Sequence, residues 1–245
     1  MSRTAGGALH DTVVDALGHE IAAGVHPEGS VVRTDELEER FAISRSVARE
    51  VVRTLAGIRL VIGRKRVGIV VRPRAEWNAF DPNLIRWLLA ADREAQVKTL
   101  VEMRTAVEPA AAAAAARRAP PQDTARLLTL SERMAATART GDLDTFLEAD
   151  IAFHGLVLGA SGNEMFAQLD EVVAEVLRWR TGHGLMPSTP RPVAVQLHCE
   201  IAACIHGGDA HRAEGAMREL VAESLEGTLD RLADGREQRG SASEV

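Results

Sequence analysis

The stretch "DELEERFAISRSVAREVVRTLAGIRLVIGRKRVGIVV", Asp35 to Val71, decides the fold. Thr34 stands before it as a candidate N-cap, Asp35 and Glu36 occupy a first helical turn, and Leu37 and Phe41 share a face. A short helix is expected there. "AIS" then turns the chain, Ser44 offers a second cap, and Val47, Val51, Val52 and Leu55 recur at helical spacing. Arg45, Arg49 and Arg53 repeat along another face of this second helix. The remainder reads as two β-branched strands around a tip of Gly63, Arg64, Lys65 and Arg66, closed by Pro73. A turn between helices, an arginine stripe and a basic hairpin are the parts of a winged helix-turn-helix that binds DNA. An arginine run alone is more often a solvated helix face, but here the capped turn and the cations of the hairpin accompany it.

Upstream, apolar residues 13, 14, 17, 21 and 22 predict a helix from Leu9 to Ala23, which Gly24, Pro27 and Gly29 end in a turn. Residues 1–74 therefore form one domain, with 12 Lys+Arg against 9 Asp+Glu, while the rest of the chain holds 17 against 26. A basic head on an acidic body points to a polyanionic partner for the head. Residues 75–96, with Pro82 and the tryptophans Trp77 and Trp87, read as a linker and packing segment whose aromatics anchor the domain junction.

From 97 to 234 every segment keeps a helical period and none alternates as a strand does. The fold class is thus mostly α: the winged helix followed by an all-α bundle of six or seven helices. The alanine run at 110–116 suits close helix packing, and "GREQRGSASEV", 235–245, reads as a disordered tail. No apolar run is long enough to span a bilayer and the start does not resemble a signal peptide, so a cytoplasmic protein is expected. Cys199 and Cys204, five apart, suit neither a disulfide framework nor a metal knuckle.

Within the bundle, "DIAFHGLVLG" places Asp150 and His154 on one helix face in an apolar run. By themselves these residues could hold a metal, act as an acid/base pair or form a buried polar network. Arg104 occupies an inward position of an apolar helix and so needs a partner. Glu108, four residues on, is the permanent candidate, and a ligand acid is the other.

The head resembles the winged helix of the GntR family of bacterial transcription regulators over about 65 residues, through its ELA-like, SR, VRE-like and glycine-containing wing motifs. The resemblance implies that Arg45 and Arg49 enter the major groove and that Arg64, Lys65, Arg66 and Gly68 lie along the minor groove. Arg33, Ser46 and Arg53 join them as DNA-binding candidates. Asp35 departs from the many relatives that carry Arg there, which implies a different operator sequence.

"EMRTAVEPAAAAAAA", "DIAFH", "SGNEMF" and "LHCEIAACIHGGDAHRAEGAM" make the body similar to the FCD effector domain of the FadR branch, nearest to regulators that answer sugar acids such as galactonate. That resemblance implies a divalent ion, Zn²⁺ with Ni²⁺ or Mn²⁺ as alternatives, on Asp150, His154, His198 and, where relatives carry a fourth histidine, Glu219. It also implies that Arg104 clamps an effector carboxylate, and His183, in the loop 180–192, is a further candidate over the pocket. The expected protein is a homodimeric repressor of an organic-acid operon, bound to a palindromic double-stranded operator and released by a small carboxylate such as an aldonic acid. A metal-dependent enzyme in the bundle is the alternative; it would leave the arginine helix and the wing without a purpose. A constitutive architectural DNA binder is a third reading, and would not need polar residues inside the bundle.

Overall fold

The computed structural model describes residues 3–64, 67–187 and 189–242. The chain divides into two compact units between Arg93 and Glu94.

In the first unit, helices α1 (Arg3–Ala22), α2 (Thr34–Phe41) and α3 (Arg45–Gly57) enclose Val13, Leu17, Leu37, Val51 and Leu55, all nearly inaccessible. Arg33, not Thr34, holds the N-cap position of α2, and the Glu36 carboxylate reaches back to accept from the Arg33 backbone N–H at 3.4 Å. Thr34 is instead the first helical residue. Ser44 caps α3 as expected, its hydroxyl accepting from Val47 N–H at 3.4 Å.

The wing strands are β2 (Val61–Arg64) and β3 (Gly68–Val71). A third strand, β1 (Val31–Val32), lies in the segment read as a plain turn and pairs antiparallel with β3, giving the order β1-β3-β2. Gly68 has φ +123°, and a Cβ there would lie 3.0 Å from the Val32 carbonyl oxygen. Only glycine lets β1 and β3 approach so closely.

Residues 75–96 are more than a linker. After a 3-10 turn at Arg74–Glu76, helix α4 (Pro82–Ala91) starts on an Asp81 cap with proline in its first turn. It packs on α1 within the first unit. Trp87 is 1% exposed, its ring lies over Gly18, and its indole N–H donates to Asp15 Oδ1 at 3.1 Å. Trp77, partly buried against the same core, donates to the Arg72 carbonyl. Both tryptophans thus anchor the first unit.

The second unit contains α5 (Arg93–Arg118), α6 (Pro121–Thr140), α7 (Leu143–Ala160), the short α8 (Glu164–Ala167), α9 (Asp170–Gly182), α10 (Pro192–His206) and α11 (Ala210–Ala242). Five consecutive buried alanines, Ala111 to Ala115, cover every direction around a helix, so this part of α5 is enclosed, while Glu102, Ala106 and Ala110 leave one face of its earlier turns exposed. α6 packs on α7 and α10, α7 on α9, and α10 on α11. The tail read as disordered from 235 continues α11 to Ala242, an extension that its Arg, Glu, Gln and Ala residues permit by propensity. Among the described residues no helix is long and apolar enough to cross a membrane.

Candidate functional site

The first unit carries a shallow concave face bordered by Arg33, Asp35, Arg45, Arg49, Val67 and Gly68. The starts of α2 and α3 and the turn end of the wing therefore meet on one surface. Arg45 and Arg49 are exposed, one helical turn apart, and among the described residues neither forms an ion pair, so both are available to an anion. Arg53 is committed to Glu50 at 2.8 Å, and the Ser46 and Ser44 hydroxyls share a hydrogen bond of 2.8 Å. Asp35 pairs with Arg33 at 3.2 Å. The guanidinium holds the Asp35 carboxyl below its usual range. Arg64 ends β2, while Lys65 and Arg66 lie outside the described residues.

In the second unit Asp150 and His154 project from α7 and His198 from α10, each at most 3% exposed. One ligating atom from each of the three lies within 4.8 Å of the other two. Asp150 Oδ1 is the shared point, 3.1 Å from His198 Nε2 and 3.3 Å from His154 Nε2. His198 Nδ1–H donates to the Ala194 carbonyl at 2.7 Å, which leaves the lone pair of the neutral ring on Nε2. His154 Nδ1 is 2.5 Å from Glu108 Oε2, a close electrostatic contact out of line with a hydrogen bond. The carboxylate favours a proton on Nδ1 and so again leaves the Nε2 lone pair free for an ion.

These are the features that fit a divalent ion: two nitrogens and an oxygen converging, and outer partners that fix both tautomers. Burial opposes charge on His154, but Glu108 and Asp150 outweigh it and raise its pKa. Burial likewise pushes the Asp150 carboxyl up, but His154 and His198, when they carry a proton on Nε2, overcome this and hold it well below the usual range.

A narrow, partly open cavity lies beside the trio. Arg104, Arg180 and Arg191 line it, as do Leu177, Met186 and Leu220, with Glu223, Ser224 and Thr228 along one wall. Arg104 is buried and paired with Glu108 through Nε and Nη2. Burial would raise the Glu108 carboxyl, but Arg104 and His154 bring it down to about 2. Arg180 reaches from α9, with Nη2 3.5 Å from Asp150 Oδ2 and Nη1 on the Ser224 hydroxyl. Burial lowers its pKa, with Asp150 opposing.

Residues 9–71 match the gntR family of bacterial regulatory proteins and residues 99–223 match the FCD domain. The galactonate operon transcriptional repressor of Escherichia coli (strain K12) is 33% identical over 222 residues, covering 87% of this chain and 94% of that one. The chain belongs to the GntR family. This GntR regulator with an FCD domain is also 31% identical over 157 residues to an uncharacterized HTH-type transcriptional regulator, YieP, of the same strain, covering 63% of this chain and 68% of that one. The solved Streptococcus agalactiae GntR shares the fold, with a TM-score of 0.52 and 23% identity, over 89% of this chain and 99% of its own. The family acts in transcription control, and the relatives named are regulators rather than enzymes.

Two candidates of this GntR chain lie away from the cavity. Glu219 is exposed on α11, because the residues that face inward there are Leu220, Glu223, Ser224 and Thr228. A step of one residue on a helix turns a side chain well away from its neighbour. His183 is also exposed, stacked on Trp179 with ring centroids 4.8 Å apart and Nδ1 2.9 Å from the Trp179 carbonyl oxygen. Leu185, Met186 and Pro187 of its loop line the cavity in its place. Arg180 was not singled out from sequence, although Val173, Leu177 and Arg180 follow the i, i+4, i+7 pattern of an inward stripe. Ser224 and Thr228 extend the stripe of Met217 and Leu220 in the same way.

Proposed function

We propose that the chain is a homodimeric repressor of an organic-acid or sugar-acid operon, released from its operator by a small carboxylate bound in the α5–α11 bundle. The observation that carries this reading is the cavity that borders both the candidate metal trio and three arginines. Arg104 and Arg180 are balanced by Glu108 and Asp150, and Arg191 by Glu223. A divalent ion on Asp150, His154 and His198 then leaves positive charge that an anionic ligand neutralises. Zn²⁺ is the first candidate, with Ni²⁺ and Mn²⁺ compatible with two nitrogens and an oxygen. When bound it supplies a Lewis-acid site for a carboxylate, and Glu219 is left out of the ligand set.

Identity to a galactonate operon repressor favours a polyhydroxylated acid. Hydroxyl donors and acceptors on α11, Ser224 and Thr228 among them, suit such a ligand. Dimerisation is part of the reading because one winged helix makes few contacts, and a two-fold protein matches a palindromic operator.

The test is a mobility shift on the DNA upstream of the gene, titrated with aldonic, uronic and short hydroxy acids, alongside sedimentation of the protein. Release by one acid class from a dimer–DNA complex is expected. A protein that sediments as a monomer on DNA, or that ignores every acid, would contradict it.

A further inference from the structure

We propose that Arg180, and not Arg104, takes the carboxylate of the effector, while Arg104 holds Glu108 beside the His154 imidazole. This rests on the reading of the cavity as an acid-binding site. Both guanidiniums border that cavity, but they are committed differently. Arg104 gives Nε and Nη2 to the two oxygens of Glu108, one turn along α5, and its side chain is 2% exposed. Glu108 in turn faces His154 Nδ1 at 2.5 Å. If Arg104 turned to a ligand, Glu108 would remain buried with a single imidazole opposite it and a second anion nearby. Binding there breaks as much as it makes.

Arg180 has no such obligation. Its Nη1 is anchored on the Ser224 hydroxyl, whereas its Nε is buried with no hydrogen-bond partner among the described residues. Among the described residues its Nη2 meets Asp150 Oδ2, at 3.5 Å, which is long for a charged hydrogen bond. Nε and Nη2 form one edge of the planar fork, the edge that receives a carboxylate through two parallel bonds. That edge is the less satisfied one, and Arg180 is among the residues that line the cavity. Asp150 separates its tasks by oxygen, Oδ1 facing the two imidazoles and Oδ2 facing Arg180. A ligand carboxylate can therefore replace the long Oδ2 contact without disturbing the trio, and it then lies directly beside it.

The experiment is calorimetric titration of full-length, zinc-loaded protein with galactonate, for wild type, Arg180→Gln, Arg180→Lys and Arg104→Gln, with zinc content and melting temperature of each. Arg180→Gln should weaken galactonate binding roughly 10- to 100-fold, the loss of a charge-assisted hydrogen bond, at unchanged zinc content. Arg180→Lys keeps the charge without the fork and should remain several-fold weaker. Arg104→Gln should lose zinc, with galactonate affinity returning when zinc is saturating. Wild-type affinity in Arg180→Gln overturns the assignment. So does an Arg104→Gln protein that keeps its zinc and loses galactonate. If Arg180→Gln fails to fold, wild-type affinity in a normally melting Arg180→Lys protein overturns it equally. Wild type that binds no acid defeats the acid-binding reading itself, an outcome distinct from a wild-type-like Arg180→Gln.

Discussion

Replacing Arg104 by Met in metal-free protein isolates the pair at the centre of the bundle. Arg104 and Glu108 have side chains 2% and 1% exposed, so neither charge is supported by water. Removing one partner of such a pair costs about 3–5 kcal/mol. The carboxyl gives a second figure: a pKa that falls from 4.5 to about 2 on folding corresponds to about 3 kcal/mol of stability at neutral pH. The folded value lies below the unfolded one, so this contribution is complete above about pH 4.5 and is lost as pH falls towards 2. The Arg104→Met deficit should therefore be full at neutral pH and shrink in acid. The double variant Arg104→Met/Glu108→Leu should recover most of it, since an apolar pair of similar volume leaves no unpaired charge. Because the chain has two units, urea unfolding with chelator present is best read by pulsed hydrogen exchange of peptides within residues 99–160. A single variant that costs about 1 kcal/mol or less, the worth of an exposed pair, would refute the reasoning. A double variant no more stable than the single would do so too.

Other outcomes follow from the same geometry. Arg49→Ala should weaken operator binding, and if the lost contact is to phosphate the log–log salt slope should fall by about 0.9; unchanged binding and slope would remove Arg49 from the interface. Gly18→Ala should destabilise the first unit by about 1–3 kcal/mol, since the new Cβ would lie 2.5 Å from Trp87 ring carbons, and a melt indistinguishable from wild type would contradict that packing. His154→Ala should lose the ion and the response to acids, whereas Glu219→Ala should keep the ion; elemental analysis after dialysis compares the two.

What the sequence made legible is what local spacing encodes. The period of Leu37, Val51 and Leu55 and the Ser44 cap lie within short windows, and they position the two helices of the winged motif. Strand β1 was not readable, because two residues carry no alternation and its register comes from Val70 and Ile69, far along the chain. Asp81 and Pro82 announce the start of α4, but its place in the first unit depends on the contact between Trp87 and Gly18, which is not local. Asp150 and His154 are one turn apart and share a face by geometry; His198 joins them only through the packing of α10 in the bundle. Glu219 lies away from the trio for the complementary reason: the rotation of α11 about its axis is fixed by packing, which turns Leu220 and Glu223 to the cavity and Glu219 to solvent.

The two arginines show where local spacing could have been taken further. Both stand at inward positions of apolar stripes, and pattern alone gives them the same need for a partner. Arg104 has an acid one turn away. Around Arg180 the positions three and four residues distant are Val176, Leu177, His183 and Gly184, none of them acidic. An inward arginine without a carboxylate within a turn must find one on another element or in a ligand. Arg180 meets the first requirement only with the long contact to Asp150 Oδ2, and its Nε remains for the second. An acid within one turn therefore marks an arginine that serves the fold, and its absence marks one left over for binding.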